Sequence, residues 1–256
     1  MFEKVRDKKS GGGLLIGALK DLSPIWIGDG GTKVEALSIK ISVKKMDIRI
    51  VNAYGPQEYD DLEKKRDFWK YLDREVFIAN REGNGCYIAM DGNSWLGSKM
   101  LKNDPHKQNK NGEMFQNFLE RNPHLSVLNK EKICQGVITR SRIANNKNEN
   151  SIIDFVIVCD KVLPFLSKFT IDEQKKYALA NYSSKGKITY SDHNSLISEI
   201  NFQYNKAQPE KRTIFNFKDQ RGLDKFRILT SKRGAFSDLF DNNLSFKKQT
   251  KPWQQK

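Results

Sequence analysis

Apolar residues along this chain fall into short runs that alternate with turn residues, which is the pattern of β-strands. The runs lie at residues 13–19, 33–43, 47–53, 85–90, 126–128, 152–158 and 196–202. Two other segments, residues 60–78 and 112–121, have apolar side chains mainly at steps of three and four and are predicted to be helices. Strands interleaved with helices predict a layered α/β domain.

The segment after the last predicted strand has a different composition. Residues 205–213 are polar and contain one proline, which is typical of a linker, and residues 222–240 could form one or two amphipathic helices. Residues 205–256 hold 13 basic and 5 acidic side chains. We therefore expect a domain at residues 1–204 and a basic C-terminal extension at residues 205–256.

The charge balance suggests a polyanionic partner. The chain has 45 lysine and arginine residues against 31 aspartate and glutamate residues, a net charge of +14. Such an excess favours nucleic acid, although a merely solubilising surface has the same composition. No run approaches the ~18 apolar residues of a membrane span, and the three cysteines form no CxxC pair. We expect buried cysteines, no membrane partner and a reducing intracellular compartment.

Two predicted strands end in polar residues that could carry chemistry. Tyr54 ends one strand just before a Gly-Pro turn, and Asp91 and Asn93 follow another apolar run. Because alternate residues of an extended segment project the same way, we expect the side chains of Asp91 and Asn93 to share a face. The plainer alternatives are a simple turn at Asp91 and a core position for Tyr54.

Two further sequence segments contain residues that could carry chemistry, one a single acid and the other an acid next to a histidine. Asp154 lies inside the otherwise apolar run at residues 152–158, and Asp192 and His193 precede the last predicted strand. A buried carboxylate is costly unless it is paired. Histidine is a suitable partner because an acid fixes its tautomer and stabilises its charged form. A local capping role for Asp154 and a surface position for His193 are the alternatives.

Polar groups at the strand ends of an α/β sheet converge on a cleft, where binding sites usually lie. An Asp–His pair, two further acids, an amide and a phenol form a set suited to phosphodiester cleavage. The acids would hold a hard cation and activate water, while the amide and the phenol contact phosphate oxygens. We therefore expect these six side chains to converge on one cleft, with Mg²⁺ or Mn²⁺ as the cofactor.

In their order and spacing the four strings resemble the endonuclease/exonuclease/phosphatase superfamily, which includes DNase I and exonuclease III-like enzymes. The matching motifs are NAYGP at 52–56, MDGN at 90–93, IDF at 153–155 and SDH at 191–193. Met90 stands where the family usually has glycine. The resemblance implies a DNase I-like four-layer α/β sandwich, with two mixed β-sheets flanked by helices, and a metal-dependent phosphodiesterase.

Within that superfamily the chain is similar to the endonuclease domain of non-LTR, LINE-type retrotransposons. The glycines at 11–13, the DFWKYL string at 67–72, the GVIT string at 136–139 and the IFNFK string at 214–218 carry this likeness. It implies DNA as the partner, an intracellular nuclear location and a reverse transcriptase domain in the parent polypeptide. The family's first-strand Asn and second-strand Glu have no counterpart, so we expect an N-terminally truncated domain that nicks DNA feebly or not at all.

The resemblance implies a role for each candidate residue. His193 would contact the scissile phosphate or transfer a proton, and Asp154 would orient it. Asp91 would activate the attacking water and Asn93 would help to position the phosphate. Tyr54 would donate a hydrogen bond to a phosphate oxygen.

The resemblance places Mg²⁺ binding at Asp192. No HExxH motif or His/Cys cluster supports zinc. We expect the remaining histidines, His106 and His124, to be ordinary surface residues.

Residues 139–150 carry Arg140, Arg142 and Lys147 among asparagines. A solvated hairpin would account for this composition. In the retrotransposon enzymes the comparable hairpin reaches into DNA, so the resemblance implies DNA contacts for the three cations.

Three functions remain open at this point. The first is a Mg²⁺-dependent endonuclease that nicks DNA to prime reverse transcription. The second is a truncated module that only binds nucleic acid, and the third is an enzyme of the same family acting on phosphoinositides or lipids. No PxWCDR box of the inositol phosphatases is present, and the basic tail suits DNA, so we favour the first function with the second as its alternative.

Overall fold

The computed structural model describes residues 1–5, 13–43, 46–144, 147–177, 180–182 and 188–202. Within these residues there are two α-helices, α1 (Leu62–Arg81) and α2 (Lys110–Arg121). The first seven strands are β1 (Phe2–Val5), β2 (Gly13–Ile16), β3 (Ile25–Asp29), β4 (Ala36–Val43), β5 (Met46–Tyr54), β6 (Gly85–Asp91) and β7 (Leu125–Val127). The other eight are β8 (Cys134–Gln135), β9 (Arg140–Ala144), β10 (Lys147–Ser151), β11 (Asp154–Cys159), β12 (Leu166–Ile171), β13 (Ala180–Tyr182), β14 (Ile188–Tyr190) and β15 (Leu196–Ile200). The predicted linker and the helical segment at 222–240 lie outside the described residues.

The largest sheet has six strands in the order β3-β4-β5-β6-β11-β7. Only β5 and β6 run parallel within it, because the helix α1 connects them as a crossover. A second sheet has the order β15-β12-β8, with β8 and β12 parallel. These two mixed sheets and the two helices confirm the predicted α/β class.

The helices cover one face of the large sheet through a cluster of aromatic side chains. Asp61 caps α1 by accepting a hydrogen bond from the backbone of Lys64. Trp69 of α1 stacks on Phe115 of α2 at 5.1 Å between ring centroids, and Phe115 meets Phe155 of β11 edge-on at 5.0 Å. Burying these rings anchors both helices to the sheet.

The other face of the large sheet meets the second sheet. Successive residues of a strand point to opposite faces, so Tyr87 points away from the helix-facing neighbours Cys86 and Ile88 on β6. The Tyr87 hydroxyl is hydrogen-bonded to the Ser198 hydroxyl of β15 at 2.8 Å. Side chains that share the orientation of Tyr87 therefore point towards the second sheet, and the candidate residue Asp91 is one of them.

Several sequence predictions need correction at the level of single elements. No strand was expected before Gly13, yet β1 pairs antiparallel with β2 and places Glu3 opposite Leu15. Asp154 is the first residue of β11 and does not lie in the middle of a strand. Of the three cysteines, Cys134 is only partly buried. Within the described residues, neither helix is long and apolar enough to cross a membrane.

Candidate active site

The ends of three neighbouring strands bring Tyr54, Asp91 and Asp154 into one row across the large sheet. Tyr54 pairs with Asp91 between β5 and β6, and Asp91 pairs with Asp154 between β6 and β11. Directly paired residues point to the same face of a sheet. The row therefore lies on the face opposite the helices, where the large sheet ends.

Asp154 is hydrogen-bonded to His193 as the sequence predicted. The Nδ1 atom of His193 lies 2.9 Å from Oδ1 and 3.0 Å from Oδ2 of Asp154. The side chains are 14% exposed for Asp154 and 32% for His193. The carboxylate therefore fixes the orientation of the ring and leaves Nε2 as its other polar atom.

The second nitrogen of this histidine faces Asp91. Nε2 of His193 lies 3.9 Å from Oδ2 of Asp91, and Oδ1 of Asp91 accepts a hydrogen bond from the backbone of Asn93 at 3.1 Å. Burial, followed by the nearby charge of Asp154, raises the pKa of Asp91 to about 6. The pKa of His193 is raised chiefly by its hydrogen bond to Asp154. The imidazole thus lies between two carboxylates, one hydrogen-bonded to Nδ1 and the other 3.9 Å from Nε2.

Asn93 reaches the site by a turn and not by an extended segment. Its φ of 45° is left-handed, and its side-chain amide donates to the carbonyl of Gly55 at 2.8 Å. The expectation that Asp91 and Asn93 project together from an extended strand is therefore wrong, because the carboxylate of Asp91 itself closes the turn. The hydroxyl of Tyr54 is hydrogen-bonded to the side-chain amide of Gln57.

Two buried polar residues that the sequence analysis missed hold these loops in place. Asn111 accepts a hydrogen bond from the Trp69 indole at 2.9 Å and donates to the carbonyls of Gly92 and Pro56 at 2.9 and 3.0 Å. Asn111 was recognisable as the polar member of the apolar face of α2, four residues before Phe115. A polar residue at such a position indicates a buried, fully bonded side chain.

Thr139 is the second missed residue and supports Asp154. Its hydroxyl accepts hydrogen bonds from the backbone N–H groups of Ile153 and Asp154 at 2.9 and 3.1 Å, and its side chain is fully buried. Its own N–H donates to the carbonyl of Ser151 at the end of β10. One side chain therefore connects the start of β11 to the preceding hairpin.

Asp192 contacts a cation of the protein itself. Its Oδ2 accepts from Nε of Arg140 at 2.7 Å, and its backbone carbonyl accepts from Ser141. Burial alone would raise the pKa of Asp192, but the hydrogen bond and charge of Arg140 outweigh burial and lower it. Asp192 adjoins His193 in sequence, while its carboxylate faces the base of the hairpin. Its assignment as a metal ligand stays a prediction.

The predicted hairpin is present, formed by β9 and β10. Arg142 pairs across it with Glu149, with Nη2 and Oε2 2.6 Å apart. Lys147 is exposed at the start of β10, and Ile143 is 78% exposed on β9. The hairpin thus presents both cations and an apolar side chain to solvent.

One predicted surface residue has a more specific environment. The ring of His106 is stacked on Trp95 at 4.4 Å between centroids and 15° between planes, and Nε2 contacts the carbonyl of Asn150 at 3.0 Å. His106 is half-buried rather than freely solvated. No sequence pattern signalled this contact, because the two rings are brought together by a loop without regular periodicity.

Three of these side chains are close enough to share a cation. Ligand atoms of Asp91, Asp154 and His193 lie within 4.8 Å of one another. Mg²⁺ prefers oxygen ligands and keeps several waters, so one or two protein carboxylates suffice. Burial and the neighbouring Asp154 make the charged form of Asp91 costly and raise its pKa, and a divalent cation would offset that cost. The donor set therefore fits a hard divalent ion.

Solved structures similar to this chain include nucleases and phosphatases. The endonuclease domain of TRAS1, a telomere-specific non-LTR retrotransposon, is 19% identical with a TM-score of 0.49, over 72% of this chain and 70% of that one. The 3'-5' exonuclease NExo from Neisseria meningitidis is 16% identical (TM-score 0.46; 64% of each chain). A Bacteroides thetaiotaomicron mannosyl-6-phosphatase is 11% identical (TM-score 0.42; 65% and 56%). Comparisons with protein-family models and with curated protein sequences found no match.

Met90, the position at which the sequence departs from the motif that it resembles, does not enter the site. Met90 is buried and pairs with Phe155 on the helix-covered face of the large sheet. Because side chains alternate along β6, Met90 and Asp91 point to opposite faces. The larger side chain therefore fills the core beneath the site.

Proposed function

We propose that this chain is a metal-dependent phosphodiesterase that nicks DNA, as the endonuclease domain of a non-LTR retrotransposon would. The observation that carries the proposal is the imidazole of His193, hydrogen-bonded to Asp154 at Nδ1 and facing Asp91 3.9 Å away at Nε2. This arrangement offers a proton-transferring group, an acid that orients it and a second acid with a raised pKa.

Each residue then has a defined task. Asp154 keeps the ring of His193 oriented, so that Nε2 is directed at the reacting phosphate. Asp91 accepts a proton from the attacking water, which a carboxylate with a pKa of about 6 does more effectively than one with an ordinary pKa. Asn93 and Tyr54 contact non-bridging phosphate oxygens. A bound Mg²⁺ or Mn²⁺ would neutralise charge on the phosphate, with Asp192 as its predicted carboxylate ligand.

The hairpin of β9 and β10 supplies the DNA contacts in this proposal. Arg140 lies at the base of the hairpin, and Arg142 and Lys147 lie further out. Cations along such a projection contact phosphates, and an exposed apolar side chain such as Ile143 suits insertion between base pairs. The same proposal places the chain in an intracellular, nuclear setting beside a reverse transcriptase domain.

The test is nicking of supercoiled plasmid in a titration of Mg²⁺, with EDTA as the metal-free control. We expect at most weak, Mg²⁺-dependent nicking by the wild-type chain, and its loss in His193→Ala because the proton-transferring group is gone. His124→Ala is the matched control, since His124 lies outside the site, and it should nick at the wild-type rate. Nicking that survives His193→Ala, or that proceeds equally in EDTA, would refute the proposal.

A chain that binds plasmid tightly at every Mg²⁺ concentration without nicking it would support the alternative of a binding module. Measuring binding and nicking on the same plasmid distinguishes a nuclease from a binding module. Binding by gel shift reports the cationic surface, and the conversion of supercoiled to open-circular DNA reports the chemistry. The cluster of Asp91, Asp154 and His193 favours the enzyme.

A further inference from the structure

The turn that follows β12, residues 172–177, contacts the segment that carries His193. Within this turn the side chain of Lys175 is half-buried. Its ammonium group donates hydrogen bonds to two backbone carbonyls, that of Ser191 at 2.6 Å and that of His193 at 3.3 Å. The two carbonyls flank Asp192, so one side chain restrains the backbone on both sides of that residue.

The backbone of Lys175 adopts a conformation that is uncommon for a residue with a side chain. Its φ of 54° is left-handed, and its N–H donates to the carbonyl of Asp172 at 3.0 Å, which closes the turn. Asp172 donates its own N–H to the carbonyl of Ser195 at 2.9 Å. Glycine would adopt this conformation more easily, so the contacts of the lysine side chain offset a strained backbone.

A second side chain of the turn contacts the other segment that supports the site. The carboxylate of Glu173 accepts hydrogen bonds from the backbone N–H groups of Val137 and Ile138 at 2.5 and 2.7 Å. The next residue, Thr139, is the one whose hydroxyl accepts from the start of β11. The turn is therefore bonded both to the segment that supports the acid of the Asp–His pair and to the segment that carries the histidine.

We propose that Lys175 is a positioning residue for His193. An ammonium group has three donors, and a charged donor forms stronger hydrogen bonds than a neutral one, so it can hold both carbonyls at once. The backbone that it holds is the one from which the imidazole projects, with Nδ1 on Asp154 and Nε2 facing Asp91. The inference rests on the proposed function, in which His193 transfers a proton, and it adds a residue that acts through His193 without touching the substrate.

The experiment observes the imidazole rings by NMR of the full chain with isotope-labelled histidine. The chain has 3 histidines, so His106 and His124 serve as internal controls for His193. At a fixed alkaline pH, where the rings are neutral, the nitrogen chemical shifts of each ring report which nitrogen carries the proton. In the wild-type chain we expect the proton of His193 on Nδ1, because Asp154 accepts a hydrogen bond there.

Lys175→Gly removes the ammonium group and suits the left-handed backbone, so the turn itself should not be weakened. We expect the nitrogen shifts of His193 to move towards the averaged values of a ring that exchanges between two tautomers, while those of His106 and His124 stay unchanged. Lys175→Met should act in the same way, whereas Lys175→Arg keeps a cation and should retain most of the wild-type pattern. Lys176→Gly is the matched control, because Lys176 is an exposed lysine of the same turn, and it should leave all three rings unchanged.

Nicking of plasmid provides the second measurement. Lys175→Gly should lower the wild-type rate by roughly tenfold to a hundredfold, because a small misplacement of a reacting group is costly in rate. Affinity for the plasmid by gel shift should stay unchanged, since the cations of the hairpin are untouched. A merely structural role would lower the thermal stability and the affinity together with the rate.

Unchanged shifts of His193 in Lys175→Gly and Lys175→Met would overturn the inference and leave the proposed function standing, as would an equal change in Lys176→Gly. Loss of the signals of all three rings in both Lys175 variants would also overturn it, because Lys175 would then support the fold as a whole. A chain whose His193 shifts move as expected, but which nicks plasmid at no Mg²⁺ concentration, supports the placement of His193 by Lys175 and favours the binding module over the nuclease.

Discussion

The strand-end cluster of Asp91, Asp154 and His193 and the hairpin of β9 and β10 use charge in opposite ways. In the cluster, the acids are 17% and 14% exposed, and one has its pKa raised to about 6. In the hairpin, Arg142 and Glu149 are about half exposed and form an ion pair in contact with solvent. Burial makes the ionised form of Asp91 costly and so favours its taking up a proton. Solvent, in contrast, screens the exposed pair of Arg142 and Glu149.

Under the proposed function, this difference predicts that the chemistry takes place at the strand-end cluster and that the hairpin binds DNA. The cluster is supported from below by the buried strands β6 and β11, so its geometry is as fixed as the core itself. The hairpin is attached to the core through Thr139 and through the contact of Arg140 with Asp192. Changes in the cluster should therefore alter the rate of cutting, and changes in the hairpin should alter affinity.

The largest effect is expected for Asp154→Asn. The amide cannot stabilise a charged imidazole at Nδ1, and it favours the wrong tautomer of His193, so nicking should fall by roughly a thousandfold or more. Affinity for plasmid should stay within about threefold of wild type, because the hairpin is untouched. Rates and gel-shift affinities on one plasmid check both statements. A parallel loss of affinity would contradict the prediction that the cluster governs the rate of cutting and the hairpin governs binding.

Asp91→Asn should abolish efficient nicking and at the same time stabilise the fold. A carboxyl whose folded pKa is raised binds its proton more tightly in the native state, so stability is lost as pH rises from about 4 through about 6. A shift of about two pKa units corresponds to about 3 kcal/mol above pH 7. Chemical unfolding at pH 7.5 should show this gain in the variant.

The pH series provides the control for that measurement. At pH 4 the carboxyl is protonated in nearly all folded chains and in a substantial minority of unfolded ones, so the advantage of the asparagine should shrink towards zero. Asp61→Asn serves as a second comparison, because Asp61 is an exposed helix cap that asparagine can replace. A constant gain at every pH would mean that burial of Asp91 is not its cause.

Thr139→Val should lower the free energy of unfolding by about 1–3 kcal/mol, because the buried N–H groups of Ile153 and Asp154 lose their acceptor. The start of β11 should also shift, and nicking should fall by roughly tenfold or more with it. Thr139→Ser keeps the hydroxyl and should stay much closer to wild type. An equal loss in the serine variant would assign the effect to the methyl group.

The smallest effect is expected in the hairpin. Arg142→Ala combined with Lys147→Ala should weaken duplex binding and reduce the slope of log affinity against log salt by about 2, one for each phosphate contact. The free energy of unfolding should change by less than about 0.5 kcal/mol, because both side chains are exposed. Titrations between about 50 and 200 mM salt give the slope.

Two comparisons sharpen the hairpin result. Glu149→Gln removes the acid that holds Arg142 and should raise duplex affinity, the opposite sign to the double alanine variant. Lys20→Ala combined with Lys161→Ala removes the same charge from two exposed positions outside the hairpin. If that pair weakened binding as much, net charge and not the hairpin would govern affinity.

The sequence predicted the parts of the site that lie on regular strands. The row of Tyr54, Asp91 and Asp154 follows from strand runs whose boundaries are visible as apolar-to-polar changes. The pairing of Asp154 with His193 also followed, because a carboxylate beside buried residues needs a partner. The functional roles of these residues stay predictions.

The parts that were missed depend on loops and on long-range contacts. The turn at Asn93, the support from Thr139 and the stack of Trp95 on His106 are set by chain segments without periodicity, so no local pattern encodes them. The strand β1 was missed because its residues, Phe2–Val5, are too few and too mixed in polarity to give a period-two signal. Asn111 is the exception, since its place on the apolar face of α2 was readable.

The row across β5, β6 and β11 makes the site sensitive to the length of the chain between its residues. Inserting one residue inside β6 would turn Asp91 to the helix-covered side and bring Met90 to the mouth of the cleft. An insertion in the loop between Leu96 and Asn109 leaves the alternation of the strand residues unchanged, although it would disturb the stack of His106 on Trp95. Single-residue insertions should therefore abolish nicking at every position inside the three strands and reduce it to varying degrees in the loops. The reason is that side chains along a strand alternate between its two faces with a period of two residues.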